Sequence, residues 1–72
     1  MKNYQNNNEA WTQGFMDGCM DVKGTYTGVP SIPNLQIKPG ENSLEVYYKD
    51  GHEKGELYAL QTLSGNNKSL RN

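Results

Sequence analysis

The chain reads as a mainly helical fold: two helices joined by a long connection that packs back onto them. Three observations predict it. Apolar and small residues recur at spacings of three and four over 11–22 and again over 44–62. Acid-before-base pairs four apart, Glu45 with Lys49 and Asp50 with Lys54, support helix in the second stretch. The segment between carries all three prolines, Pro30, Pro33 and Pro39, which favour extended or turn backbone. The alternative is a small α+β or β-hairpin-rich fold, with hairpins about Pro39-Gly40 and Asp50-Gly51.

In chain order, 1–8 is an asparagine-rich, flexible lead-in, and Asn7 or Asn8 caps a helix over 9–23, with Glu9 in its first turn. Lys23-Gly24 closes that helix. The connection spans 24–42, and in it Leu35 and Ile37 alternate with polar residues, which leaves room for a short strand. Asn42-Ser43-Leu44-Glu45 has the form of a capping box for a second helix over 43–63. Ser64-Gly65 is read as its stop, and 64–72 as a flexible tail. In this helix Leu44, Tyr48, Gly51, Gly55, Tyr58 and Thr62 share one face.

Each helix carries two glycines in its interior, and each costs about 1 kcal/mol relative to alanine. The spacing explains them: Trp11-x-x-Gly14-x-x-x-Gly18 recurs as Tyr48-x-x-Gly51-x-x-x-Gly55. Glycines four apart lie on one face and remove the side chains that hold helices at about 8–10 Å. Gly14, Gly18, Gly51 and Gly55 are therefore the expected helix-packing residues.

"GFMDG" at 14–18, a Tyr and a Pro in the connection (Tyr26, Pro30), and the aromatic-plus-glycine helix at 48–55 give a further reading. Over residues 9 to 60 the chain resembles the ribosome modulation factor-like small proteins of bacteria and phages. The resemblance implies an antiparallel helical hairpin and a ribosome- or RNA-associated modulator, with Trp11, Tyr26, Tyr47 and Tyr48 available to stack on bases. The family's strongly basic surface and its Cys-Pro-Tyr element are not in this sequence.

Size and composition bound the function. With 72 residues there is one small domain. Ordering costs roughly 1.5 kcal/mol per residue, so chains this short usually need a staple, a metal or a partner. Cys19 is the only cysteine and has no internal disulfide partner; with His52 it makes up the whole supply of soft ligands, so no metal or cofactor is expected. Self-association or a protein partner remains. The net charge is −1, with a sequence pI of about 5.7 and a mean hydropathy of −0.93. That balance is less basic than proteins built on phosphate contacts. No apolar run has the length of a membrane span and 1–11 has no signal-peptide core, so a cytoplasmic location is expected.

Catalysis is not expected. Cys19 with His52 is the sole candidate dyad, and Cys19 lies between methionines in a packing context. Asp17 and Asp21, four apart, can share a cation, although exposed acids on one helix usually face water. The apolar arc is more informative: Trp11, Phe15, Met16, Met20, Tyr47, Tyr48 and Tyr58 are the expected partner-binding residues. The function this supports is a non-catalytic protein-binding module, self-associating. A phage- or mobile-element-type inhibitor of a host protein, anti-defence proteins included, fits it; the alternative is the ribosome or RNA modulator.

Overall fold

The computed structural model describes residues 4–71 except Thr27, with side chains through Thr62. Helix α1 covers Asn7–Lys23 and helix α2 covers Ser43–Arg71. Among the described residues there is no strand, so neither β-hairpin is present. Asp50-Gly51, a turn in the hairpin reading, lies inside α2, where Lys54 Nζ meets Asp50 Oδ1 at 2.9 Å, the i,i+4 pair of the helical reading.

The cap of α1 is Asn6, not Asn7 or Asn8. Its side-chain oxygen accepts from Glu9 N–H at 2.9 Å, and the Glu9 carboxylate accepts from Gln5 N–H at 2.9 Å. Only with the cap at Asn6 is Glu9 the third residue of the helix, where a carboxylate reaches back past the cap. At the other end Gly24, at φ 81°, closes the helix by donating its N–H to the Met20 carbonyl at 2.8 Å. Asn42 caps α2, its Oδ1 accepting from Leu44 N–H at 2.9 Å and Glu45 N–H at 3.3 Å. The preceding Lys38–Glu41 turn places Pro39 and then Gly40, at φ 88°, at its centre, a type II arrangement. α2 continues past Ser64-Gly65 to Arg71. A glycine only taxes a helix, and no proline follows this one to stop it.

The two helices pack along their lengths, and at four places their backbones touch. A Cβ on Gly14 would collide with the Tyr48 carbonyl oxygen and lie 2.8 Å from His52 N. One on Gly18 would collide with the His52 carbonyl oxygen and lie 2.9 Å from Glu56 N. Reciprocally, Gly51 meets the Trp11 carbonyl oxygen and Gly55 that of Phe15. One turn forward on α1 is thus one turn forward on α2, so the helices run parallel. The antiparallel direction is corrected by these contacts. The physical reason is the connection: its described residues lead back from the end of α1 to the Lys38–Glu41 turn before α2, and a chain of that length can run back along a helix of 17 residues, about 25 Å long.

That return segment lies against the pair. Val29, Ile32, Leu35 and Ile37 are half-buried on a core of Ala10, Trp11, Phe15, Cys19, Tyr47 and Ala59. Leu35 N–H donates to the Tyr47 hydroxyl at 3.0 Å, fixing the segment to the start of α2. The lead-in is held as well, because Tyr4 stacks on Tyr48 with ring centroids 5.5 Å apart.

Gly18→Ala and Gly55→Ala are each expected to lower stability by about 1–3 kcal/mol despite better helix propensity, because the added methyl meets partner backbone. Chemical denaturation checks this, and unchanged midpoints would show that the glycines do not set the spacing. Spin labels at Asn8 and Glu45 should read a shorter distance than labels at Asn8 and Leu60. An antiparallel pair would invert that order.

Candidate functional site

The buried stripe of α2 is Tyr47, Gly51, Gly55 and Ala59, rather than one through Tyr48 and Tyr58. Strict spacing by four wins because small residues at each turn keep the backbones in contact. On α1 the corresponding ladder is Ala10, Gly14 and Gly18. Ala10 and Ala59, both 0% exposed, escaped the sequence reading. Their signal was present, since each extends a glycine pair by one more four-residue step.

The partner-binding candidates divide accordingly. Trp11, Phe15 and Tyr47 lie inside, and Met16 and Tyr48 are half-covered. Met20 (49%) and Tyr58 (41%) are exposed, and so are Leu57 (47%) and Leu60 (50%), apolar residues that the pattern of the second helix leaves over beside its glycine face. Leu57 and Tyr58 form one wall of a shallow apolar groove whose other walls are Pro30 and Pro33 of the connection, with Trp11 and Phe15 reached from it. The Tyr58 ring leans on Phe15 at 5.5 Å, and Phe15 in turn stacks on Trp11 at 5.4 Å. Exposed surface here is thus continuous with the core.

Polar contacts line the edges of the helix pair. The Trp11 indole N–H donates to Asp50 Oδ2 at 2.8 Å, with Lys54 on the other oxygen. Burial alone would raise the Asp50 pKa, but the Lys54 and Trp11 hydrogen bonds and the Lys54 charge outweigh it and hold it below the usual value. The Tyr48 hydroxyl donates to Asp17 Oδ2 at 2.6 Å, and Gln13 donates to Asp17 Oδ1 at 2.9 Å. The hydrogen bond to Asp17, then burial, then the negative charge of Asp17 push the Tyr48 phenol up to about 12. Each aromatic residue that opens a repeat therefore donates to a carboxylate on the other helix.

The candidate dyad is not assembled. Cys19 is buried and points at the Gly55 carbonyl oxygen at 3.4 Å, its thiol pKa raised by desolvation, only partly offset by Lys23. His52 faces away from it: Nε2 lies 3.0 Å from Asp21 Oδ2, and Nδ1 lies 3.7 Å from Glu56 Oε2. Asp17 and Asp21, a pair in sequence, are divided between Tyr48 and His52. Among the described residues no helix is long and apolar enough to cross a membrane. Comparison with known protein families, curated proteins and solved structures gives no match.

The two shifted groups give stability opposite pH limbs. Asp50, depressed below 3.8 in the folded chain, contributes stability that is present above that value and lost as pH falls through its folded pKa. Tyr48, raised from 10.0 to about 12, contributes stability that is complete below 10 and lost as pH rises toward 12. Denaturation midpoints measured against pH should show both limbs. Asp50→Asn should flatten the acid one and Tyr48→Phe the alkaline one.

Proposed function

We propose that this chain is a small non-catalytic protein-binding module that acts by laying the exposed apolar strip of α2 on a target protein. The carrying observation is that Leu57, Tyr58 and Leu60 stand about half exposed on a 72-residue chain, beside a groove opening onto Trp11 and Phe15. Clustered exposed apolar side chains on so small a surface favour association. An aromatic residue anchored against the core reaches a partner already ordered, so little side-chain entropy is lost on binding.

Two further features support the reading. Cys19 and His52 are committed to separate contacts, which keeps the thiol and the imidazole from acting as a nucleophile–base pair. The locked helix pair offers a rigid face of the sort an inhibitor needs. A phage- or mobile-element-type inhibitor of a cytoplasmic host protein, anti-defence proteins included, is the class this fits. Self-association would use the same strip.

The test places a photo-crosslinking amino acid at Leu57 and compares the parent with a Leu60→Glu variant in bacterial cells. A single crosslinked protein, reduced at least about tenfold by the added charge in the strip with helical content unchanged, is the expected result. A crosslink only to the chain itself would restrict the strip to self-association. Crosslinks to ribosomal proteins, or to RNA in a product that nuclease shortens, would move the reading to a ribosome or RNA modulator. No crosslink from a monomeric chain would overturn it.

A further inference from the structure

We propose that Asp21, His52 and Glu56 bind one divalent transition-metal ion of the zinc class, bridging the last turn of α1 to the middle of α2. This goes beyond the protein-binding reading and does not depend on it. One donor atom from each of the three side chains lies within 4.8 Å of the other two. Asp21 Oδ2 and His52 Nε2 are 3.0 Å apart. Tetrahedral donors about 2.1 Å from a zinc ion stand about 3.4 Å apart, so this hydrogen-bonded pair has to open by only a few tenths of an ångström to become adjacent ligands. Glu56, whose Oε2 now stands 3.7 Å from the other ring nitrogen, Nδ1, becomes the third donor when its side chain swings toward Nε2. Side-chain exposures of 28% for His52, 64% for Asp21 and 44% for Glu56 leave the imidazole and carboxylates room to turn their lone pairs onto one ion.

The frame beneath these side chains is fixed. His52 and Glu56 sit four apart on α2, the spacing at which two helical side chains converge on one ion. Asp21 enters from the other helix, and the helix separation at this turn is set by Gly18, whose Cβ position abuts the His52 carbonyl oxygen and Glu56 N. A glycine contact thus holds the ligand-bearing backbones together before any ion arrives. Little reorganisation beyond side-chain rotation is needed. The donors also select the ion. One neutral imidazole with two carboxylates balances a 2+ charge and suits Zn²⁺, Co²⁺ or Ni²⁺, whereas Mg²⁺ and Ca²⁺ prefer oxygen alone. Three protein donors leave a position for water or for a donor from another molecule.

Bridging the helices would also supply a staple for a chain with one cysteine and no disulfide. An ion bound by the folded chain alone raises its apparent stability by mass action.

The test uses the full chain without a tag, stripped with chelator. Zn²⁺ titrated by calorimetry should bind one ion per chain and raise Tm, with the rise reversed by EDTA. Co²⁺ should give visible d–d absorption, and Mg²⁺ and Ca²⁺ should do neither. His52→Ala should abolish binding, and Asp21→Asn and Glu56→Gln should each weaken it by at least about tenfold. The well-exposed Asp21→Asn decides the matter if His52→Ala fails to fold. Absence of Zn²⁺ and Co²⁺ binding at millimolar concentration would overturn the proposal. So would parental affinity in folded His52→Ala or Asp21→Asn, leaving the three side chains as a hydrogen-bonded histidine between two carboxylates.

Discussion

The fold depends on backbone-to-backbone contact between α1 and α2 at four glycines. Helices in globular proteins normally meet through side chains, and the apolar area those side chains bury supplies most of the packing energy. Here Gly14, Gly18, Gly51 and Gly55 give up that area so that each helix presses its surface on the carbonyls of the other. The return is a dense dispersion contact and room for weak Cα–H···O=C interactions over several turns. Large rings are then displaced to the flanks, where Trp11, Phe15 and Tyr47 close the seam from the sides. A helix pair of this size has few other ways to exclude water, since among the described residues its core contains six buried apolar side chains.

Close approach constrains everything laid over it. Backbones in contact leave no slack for sliding, so the polar groups along the edges hold fixed partners: Trp11 with Asp50, Tyr48 with Asp17, and His52 with Asp21. Each bond joins α1 to α2 and is specific to the parallel register. Being partly exposed, they add less stability than the seam, but a slip by one turn would break all of them together. The connection completes the structure by packing Val29, Ile32, Leu35 and Ile37 over one flank of the pair. The sector of α2 with Leu57 and Leu60, at the margin of the connection where Pro30 and Pro33 face Leu57, stays about half exposed, and the described residues include no third helix to cover it.

The same geometry concentrates chemistry at one turn. Gly18 brings α1 onto α2 beside His52, and the three donors of the proposed ion site stand on that contact. Spacing alone pairs Asp21 with Asp17, because both lie on one helix. The fold instead gives Asp17 to Tyr48 and turns Asp21 to the only histidine.

Much was legible without coordinates. Helical periodicity, the Asn42 cap, the Gly24 stop and the Pro39-Gly40 turn are local properties, set by the spacing of apolar residues and by the φ that glycine and proline permit. The glycine repeat also announced a close approach of two helices, for no local energy term rewards glycine twice inside a helix. What periodicity could not supply was direction. An identical motif on two helices fits a dyad along the helices or across them, and the two arrangements share one sequence pattern. Only the path of the connection, which leads from the end of α1 back to its start, selects the parallel one. Direction in turn decided which aromatics became core, why Ala10 and Ala59 outrank Tyr48 and Tyr58 in burial, and which acid met His52. Those are outcomes of contacts between residues far apart in the chain, which no window along it contains.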